Sequence, residues 1–449
     1  MNSKIFREYD IRGIADKDLP SEVVESIGRA IGTFAREKGA KTFTLGRDCR
    51  ISSPRIHGIL SQALVSTGLQ VIDVGLVPTP LLYFSVFELN TDGGVMITGS
   101  HNPPDQNGFK ICVGKTTIYG EDIQELRKTI EKKEFITGKG SVSELSVISS
   151  YIDAVLKSVQ HPLHLNVVVD SGNGMGGVVA GELFRKLGCT VTELYSELDG
   201  TFPNHHPDPT VIENMKDLIE TVKRQKSAVG IAFDGDADRI GAIDPTGRQL
   251  YGDELLVLYA RDILEKKKGA KIISEVKASH RLFQDVAKHG GIPILWKTGH
   301  SLIKAKMKEE GALLAGEMSG HMFFSDRYFG FDDAIYAAAR LLEILAKTGK
   351  SPAELLADLP TSFCTPEIRV DCPDDKKFDL VKRAVAEFKT KYEVLDIDGA
   401  RVQFSDGWGL VRASNTQPVL VMRFEATSEK RLSEIREIVE HQIQTLRKA

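Results

Sequence analysis

Short apolar runs alternate with stretches of helical periodicity along most of this chain. The alternation predicts strands at residues 41–45, 69–74, 94–98, 165–170 and 272–276. It predicts helices at residues 56–67, 178–187 and 254–267, the last with one apolar face at positions 256, 259, 260, 263 and 264. Because parallel strands need a crossover element, this order favours parallel sheets covered by helices. The pattern restarts twice, which predicts three similar units.

After about residue 362 the pattern changes. Short strands are predicted at residues 367–370, 394–396, 400–404 and 419–424, with helices at 375–392 and 429–446. We therefore predict an α/β protein in which three similar α/β domains with mixed or parallel sheets precede a smaller α+β C-terminal domain. The expected boundaries are residues 1–145, 146–248, 249–362 and 363–449.

Composition argues against several classes of protein. The 449 residues carry 58 Lys and Arg against 62 Asp and Glu, and a net charge of −4 does not suit general nucleic-acid binding. No apolar run reaches the roughly 18 residues of a membrane helix, and residues 1–8 do not resemble a signal peptide. The five scattered cysteines favour reduced thiols. We expect a cytoplasmic protein with no membrane or nucleic-acid partner.

Two glycine motifs suggest other enzyme classes. Residues 172–177 (Gly-Asn-Gly-Met-Gly-Gly) fit GxGxxG, follow a predicted strand and open a predicted helix, as in dinucleotide-binding folds. An NAD-dependent oxidoreductase is therefore a minority hypothesis, beside a tight turn that serves close helix–strand packing. The motif Gly114-Lys115-Thr116 lacks the glycine that a P-loop needs at position 109, and we interpret it as a surface loop.

An acidic triplet follows the apolar run at residues 229–233. Asp234, Asp236 and Asp238 alternate with small residues and would project to one side of an extended segment. Crowded carboxylates repel each other unless a cation neutralises them, and oxygen ligands suit Mg²⁺ or Ca²⁺. An EF-hand is excluded because its glycine and glutamate positions hold Arg239 and Pro245. We favour a Mg²⁺ site over a solvated acidic turn.

Residues 98–110 form a loop rich in hydroxyl, imidazole, amide and ammonium groups, centred on Ser100 and His101. The loop lacks the GxSxG pattern of α/β-hydrolases. It occurs in order with three further motifs: Asp234 to Arg239, Gly316 to His321, and Arg412 to Pro418. Together with residues 6–13 and 46–48, these motifs closely resemble the α-D-phosphohexomutases, most closely the bacterial phosphomannomutase/phosphoglucomutase branch. The resemblance covers essentially the whole chain.

The resemblance implies a phosphoserine enzyme. In that family the serine matching Ser100 donates its phosphoryl group to a hexose monophosphate, a hexose 1,6-bisphosphate forms and reorients, and the other phosphate returns to the serine. The net reaction interconverts hexose 1-phosphate and hexose 6-phosphate, of mannose, glucose or both. One Mg²⁺ per chain would be held by Ser100, Asp234, Asp236 and Asp238.

The same resemblance assigns the remaining site residues. Arg12, Lys110 and Arg239 would lie near the transferring phosphoryl group, with His101 and Asn102 supporting the loop; Lys110 and His300 are the acid/base candidates, in either order. Substrate would be held by Lys277, Glu317, Ser319, His321, Arg412, Ser414, Asn415 and Thr416. Lys277 and His321 could equally be fold-supporting polar residues. Each of four domains would contribute one loop to a central cleft.

Several points stay open at this stage. Residues 98–101 favour this branch over the phosphoglucosamine mutases, which usually carry a Ser-Ala-Ser-His loop, while Gln417 replaces a glutamate often seen in the family. Besides a phosphoglucosamine mutase and the oxidoreductase, a non-catalytic sugar-phosphate sensor is possible. We expect sugar phosphates as partners and a monomer or weak homodimer. The Ser100 loop should be exposed, so that removing its hydroxyl would cost little stability.

Overall fold

The computed structural model describes residues 1–448, which form four β-sheets from successive parts of the chain. The elements of the first part are β1 Ile11–Ile14, α1 Ser21–Glu37, β2 Thr42–Arg47, α2 Ser53–Val65, β3 Gln70–Leu76, α3 Thr79–Glu88, β4 Gly93–Ile97, β5 Gln106–Val113, β6 Thr116–Thr117, α4 Glu121–Lys132 and β7 Ser141–Glu144. Their strands make a mixed sheet in the order β1-β5-β4-β2-β3-β7, with β6 paired to β5.

The second part builds a five-stranded sheet in the order β12-β11-β10-β8-β9. Its elements are α5 Ile148–Ser158, β8 Asn166–Asp170, α6 Ala180–Lys186, β9 Thr190–Leu194, α7 Lys216–Gln225, β10 Val229–Phe233, β11 Ile240–Ile243 and β12 Gln249–Leu250. Strands β8, β9 and β10 are parallel, and β11 and β12 run antiparallel to their neighbours.

The third part builds a four-stranded sheet in the order β14-β13-β15-β16. Its elements are α8 Gly252–Lys266, β13 Lys271–Glu275, α9 His280–Lys288, β14 Ile292–Trp296, α10 His300–Glu310, β15 Leu314–Gly316, β16 Met322–Phe324, α11 Ala334–Thr348 and α12 Pro352–Leu355. The predicted apolar face of α8 is buried, and Leu255, Val257 and Leu258 are buried too, because α8 packs against both α9 and α11.

The last part is an antiparallel sheet flanked by two helices, as predicted for an α+β domain. Its elements are β17 Phe363–Cys364, β18 Ile368–Asp371, α13 Asp374–Lys389, β19 Val394–Leu395, β20 Ala400–Phe404, β21 Gly407–Ala413, β22 Val419–Ala426 and α14 Glu429–Lys448. None of the helices within residues 1–448 has the length and apolar character needed to cross a membrane.

The first three sheets share one arrangement. In each, a parallel strand is followed through a short loop by an antiparallel neighbour: β4 by β5, β10 by β11, and β15 by β16. In the last sheet, β21 and β22 are joined in the same way. The three similar α/β units are thus confirmed, and the four predicted site motifs occupy the four equivalent loops.

Candidate active site

Direct contacts join the first three loops, and Tyr9 links the fourth loop to them. The Ser100 hydroxyl of the first unit donates to Asp234 of the second at 2.7 Å, and the Arg239 side chain donates to His321 of the third at 3.0 Å. From the fourth unit, the Asn415 amide donates to the hydroxyl of Tyr9 at 2.5 Å. The loops therefore form one site, at the strand ends where open α/β sheets bind ligands.

The expectation of an exposed loop holds for residues 103–105 but is wrong for Ser100, which lies inside the protein. Only 1% of the residue is exposed, because the aspartate turn of the second unit covers it. Its hydroxyl also lies 3.1 Å from Nδ1 of His101. Since the single hydroxyl proton goes to Asp234, His101 fits as a donor to Ser100, which agrees with its predicted supporting role.

The acidic triplet is a turn and not the extended segment expected from its spacing. Asp234, Asp236 and Asp238 are fully buried, and Ala237 adopts a left-handed backbone with φ of +58°. Asp234 Oδ1 accepts the backbone N–H groups of Asp238 and Arg239, both at 3.1 Å. The backbone turn, and not the alternation of side chains along a strand, brings the three carboxylates together.

The carboxylates have the chemistry of a hard-cation site. Asp236 Oδ1 and Asp238 Oδ1 are buried without hydrogen-bond partners, and Lys110 Nζ binds the other oxygens of both residues, that of Asp236 at 2.7 Å. Burial, with the charges of Asp238 and Asp236, raises the pKa of Asp234. An all-oxygen set of crowded carboxylates with unsatisfied atoms fits Mg²⁺.

The glycine-rich turn at residues 172–177 packs against this metal turn. A Cβ on Gly174 would lie 2.7 Å from the carbonyl oxygen of Gly235, and the N–H of Met175 donates to the same oxygen at 3.0 Å. The backbone of the aspartate turn therefore fills the space where a pyrophosphate would approach a dinucleotide-binding turn. The tight-packing interpretation explains the glycines, and the oxidoreductase hypothesis is not favoured.

Arg12 borders the serine loop from the first strand. Its Nε donates to Asp10 at 2.7 Å, and Nη1 donates to Asn102 Oδ1 at 3.2 Å and to the Gly99 carbonyl at 3.4 Å. The guanidinium is thus held beside the serine by Asp10, which directly precedes β1, and by the loop itself.

A buried chain of polar groups links Arg239 to the third unit. Because Arg239 Nε–H donates to Nε2 of His321, that ring carries its proton on Nδ1, which lies 3.3 Å from Asp332 and 3.7 Å from Asp238. His321, Asp238 and Asp332 could geometrically hold a second ion, but the ring turns an N–H toward these carboxylates and not a lone pair.

His300 stacks on His321 with ring centroids 5.4 Å apart. Its Nδ1 lies 3.5 Å from Asp332, and the ammonium of Lys304 binds the other oxygen of Asp332 at 2.7 Å. Burial, followed by the charge of Lys304, holds the pKa of His300 well below its ordinary value. The lowered pKa favours the neutral form of the imidazole.

The third unit also supplies the predicted sugar-binding group. Glu317 is buried and accepts the N–H of Gly299 at 2.7 Å, while Ser319 is half-buried in the same turn. Lys277 reaches across to the last unit and binds Glu367 at 3.1 Å. Burial raises the pKa of Glu317.

The loop after β21 is organised around Arg412 and Ser414. Arg412 is buried and pairs with Asp398 at 2.9 Å, while Ser414 Oγ accepts the N–H groups of Thr416 and Gln417 at 3.3 and 3.2 Å. Tyr9 joins this loop to the third unit, because its hydroxyl accepts from Asn415 and donates to the Thr298 carbonyl at 2.7 Å.

Some residues of the site were not predicted as site residues. Asp332 and Lys304 lie outside the recognised motifs, and Tyr9 belongs to a motif without an assigned role. Thr79 donates to Asp236 at 2.5 Å, although it is the first residue of α3 and far from Asp236 in sequence. Only the run Tyr9-Asp10-Ile11-Arg12 carried a signal, through its match to the family motif.

Comparison with known proteins identifies the architecture. Models of the phosphoglucomutase/phosphomannomutase α/β/α domains I, II and III match residues 3–137, 149–247 and 251–363, and the C-terminal domain model matches residues 367–442. The chain is 48% identical over 445 residues to a phosphomannomutase/phosphoglucomutase of Pseudomonas aeruginosa, covering 99% of this chain and 96% of that protein.

Two further relatives agree. A phosphoglucomutase of Neisseria gonorrhoeae is 48% identical over 436 residues, which cover 96% of this chain and 95% of that protein. The crystal structure of a phosphoglucomutase/phosphomannomutase family protein from Burkholderia thailandensis superimposes with a TM-score of 0.94 at 43% identity, covering 100% of this chain and 98% of that one.

Proposed function

Because this chain belongs to the phosphoglucomutase/phosphomannomutase family, we propose that it interconverts hexose 1-phosphates and hexose 6-phosphates of glucose and mannose. One observation carries the proposal: the buried Ser100 hydroxyl lies 2.7 Å from Asp234, in a turn with Asp236 and Asp238. A nucleophilic hydroxyl beside a cation site, at the meeting point of four loops, suits phosphoryl transfer.

Asp234, Asp236 and Asp238 would hold Mg²⁺ together with an oxygen on Ser100. When bound, the ion supplies positive charge that stabilises the electron-rich transferring phosphoryl group. Arg12, bound to the Gly99 carbonyl, and Lys110, bound to Asp236, add two fixed cationic side chains. These cations compensate the charge that develops on the phosphoryl oxygens.

In the proposed transfer, the bond between phosphorus and Ser100 Oγ breaks as a sugar hydroxyl forms a new bond to phosphorus. The hydroxyl proton must leave, and Ser100 Oγ regains a proton. We favour His300 as the group that accepts the hydroxyl proton, because its Nδ1 faces Asp332 and leaves Nε2 for the cleft. Lys110, the other acid/base candidate, is an ammonium that donates to two carboxylates and would return a proton to Ser100 Oγ.

The opposite end of the substrate would be held by the last two units. Arg412, Ser414, Asn415 and Thr416 offer a guanidinium fork, hydroxyls and an amide to the phosphate that is not being transferred. Glu317 and Ser319 offer hydrogen bonds to sugar hydroxyls, with Lys277, His321 and Arg239 around them. A hexose 1,6-bisphosphate that turns around in this cleft would use the same groups in both orientations.

The remaining expectations are part of the same proposal. We propose a monomer or weak homodimer that acts on small sugar phosphates in the cytoplasm, where its five free cysteines would stay reduced.

The test is a side-by-side rate measurement on mannose 1-phosphate, glucose 1-phosphate and glucosamine 1-phosphate, with Mg²⁺ and glucose 1,6-bisphosphate present. We expect conversion of the first two substrates well above that of the third. Intact-mass analysis should find one phosphate on the protein, mapped to Ser100. No conversion of any substrate and no phosphorylation by the bisphosphate would contradict the proposal, and a preference for glucosamine 1-phosphate would redirect it.

A further inference from the structure

Arg50 is fully buried and makes an unusual set of contacts for one side chain. Its Nη1 donates to the carbonyl oxygens of Pro103 at 2.5 Å and Gln106 at 2.9 Å. Its Nη2 donates to the carbonyls of Ser100 at 2.7 Å and Asn102 at 2.6 Å. One guanidinium thus binds four backbone carbonyls of the loop that carries the nucleophile.

Asp48 holds the other side of the same loop. Its Oδ2 accepts the N–H of Gly99 at 3.2 Å and lies 3.2 Å from Nε of Arg50. Its Oδ1 accepts the N–H of Arg50 at 3.1 Å and the Ser53 hydroxyl at 2.5 Å. The carboxylate therefore orients the guanidinium and anchors the residue next to the nucleophile.

The loop that these two side chains hold has a constrained shape. Ser100 has a φ of +50°, in the left-handed region that residues with a side chain rarely adopt. Gly99 lies against the guanidinium so closely that a Cβ there would be 2.5 Å from Arg50 Cζ. A strained conformation persists only where its surroundings over-determine it.

The second unit covers this arrangement. The Phe202 ring centre lies 5.2 Å from Arg50 Cζ, and a Cβ on Gly200 would be 2.4 Å from the Cys49 carbonyl oxygen. The same unit carries Asp234. It therefore encloses the Arg50 guanidinium and also binds the Ser100 hydroxyl.

We propose that Arg50, oriented by Asp48, is a positioning residue for phosphoryl transfer: it fixes the backbone of residues 99–106 so that Ser100 Oγ stays aligned with the aspartate turn. Arg50 binds the loop backbone and acts through Ser100. The inference rests on the proposed function, since it explains how that function is made efficient. A misplacement of about 1 Å at a reacting atom can cost on the order of 10²-fold in rate.

The planar fork of arginine is the essential feature. Its five N–H donors have a fixed geometry, whereas a lysine ammonium is one point charge with three donors and cannot reach four carbonyls spread over seven residues. Arg50→Lys should therefore keep the charge beside Asp48 and lose the alignment of the loop. Arg50→Met removes the charge as well.

The experiment compares Arg50→Lys and Arg50→Met with Arg55→Lys. Arg55 lies on α2, and its guanidinium also donates to two backbone carbonyls, those of Ala15 and Leu19, both at 3.0 Å. Neither carbonyl belongs to the Ser100 loop, and Ala15 meets that loop only through its N–H, which donates to the carbonyl of the exposed Asp105 at 2.8 Å. For each variant we would measure kcat and KM for glucose 1-phosphate, the Tm, and the rate at which glucose 1,6-bisphosphate phosphorylates Ser100, followed by intact mass.

For Arg50→Lys we expect kcat and the rate of Ser100 phosphorylation to fall about 10- to 100-fold, with KM within about threefold of wild type. Arg50→Lys should also recover most of the Tm that Arg50→Met loses, without recovering kcat. Arg55→Lys should stay within about twofold in kcat. If Arg50→Met does not fold, the same measurements on Arg50→Lys and Asp48→Asn test the inference.

An Arg50→Lys enzyme with wild-type kcat and phosphorylation rate would overturn the inference, as would a loss equal to that of Arg55→Lys. A wild-type protein without mutase activity would instead contradict the proposed function, so the two failures can be told apart.

Discussion

The two ends of the cleft are built in opposite ways. At the transfer end, Ser100 is 1% exposed and the three aspartates are fully buried, with contacts that cross between two units. At the phosphate-holding end, Arg412 and Ser414 are buried, but Asn415 is half-buried and Thr416 and Gln417 are exposed. Ser414 bonds within that loop, whereas Arg412 pairs with Asp398 and Asn415 with Tyr9, so the difference between the two ends lies in their exposure.

The contrast agrees with what each end must do. The end at which a bond breaks benefits from charges and dipoles that are in place beforehand, because reorganising them would add to the barrier. In the proposed mechanism, the other end binds one phosphate, releases it and binds another after the sugar has turned. A loop anchored at Arg412 and open at Thr416 can do this without disturbing the transfer end.

Ser100→Ala should have the largest effect of the changes at the transfer end. Without the nucleophile, we expect activity to fall by at least about 10³-fold. Because the hydroxyl is the buried donor to Asp234 Oδ2, the variant should also lose stability, by about 1–3 kcal/mol, since that oxygen is left without a partner. Initial rates and urea unfolding measure the two effects.

Ser85→Ala is the matched control for Ser100→Ala. The Ser85 hydroxyl is equally buried and donates to the Leu82 carbonyl at 2.6 Å, away from the site. It should lose a similar amount of stability and keep its activity. An active Ser100→Ala enzyme would show that the transfer end does not depend on a phosphoserine.

Asp236→Asn tests the cation at the transfer end. Replacing one carboxylate oxygen removes a ligand and a negative charge, so kcat should fall by about 10²-fold or more. Wild-type enzyme treated with a chelator should lose activity and regain it with Mg²⁺. Asp285→Asn serves as control, because Asp285 is also buried and is paired with Arg261 at 2.6 Å far from the cleft. Chelator-resistant activity would contradict the metal assignment.

The transfer end also shows how far sequence alone could go. The apolar runs before Ser100 and Asp234 place β4 and β10 within one residue of their observed ends, because a buried strand of five apolar residues has few alternatives. The burial of Ser100 and Asp234 could not be predicted, since it comes from the second unit covering the first. Arg50 was missed for a related reason: its partners are backbone carbonyls, which have no sequence identity of their own.

Arg412→Lys tests the phosphate-holding end. A lysine keeps the charge but loses the fork that can bind phosphate and Asp398 together, so KM should rise about tenfold while kcat changes less. Arg431→Lys is the control, because Arg431 pairs with Asp406 at 2.8 Å in the same unit, outside the loop. A fall in kcat at constant KM would mean that the two ends are not separable.

The smallest expected effect is on stability and concerns the pair formed by His205 and the buried Asp170, which supports the transfer end. Nε2 of His205 lies 3.0 Å from Asp170 Oδ2 and Nδ1 lies 3.0 Å from the His206 carbonyl, so both nitrogens face acceptors. Burial alone would lower the pKa of His205, but Asp170 outweighs it and the pKa is raised. The following Pro207 packs against Gly235 in the aspartate turn.

A raised pKa fixes the sign of the pH dependence. The stability due to the charged pair is fully present below the unfolded pKa of about 6.5 and is lost as the pH rises through the higher folded value. Urea unfolding of wild type and His205→Gln should therefore differ most at pH 5.5 and progressively less toward pH 8.5, while kcat stays within about twofold. Asp170→Asn should remove the same pH-dependent part. A stability difference between wild type and His205→Gln that is constant over this pH range would mean that His205 supports the aspartate turn by packing alone. The charge of His205 would then not contribute to the rigidity of the transfer end.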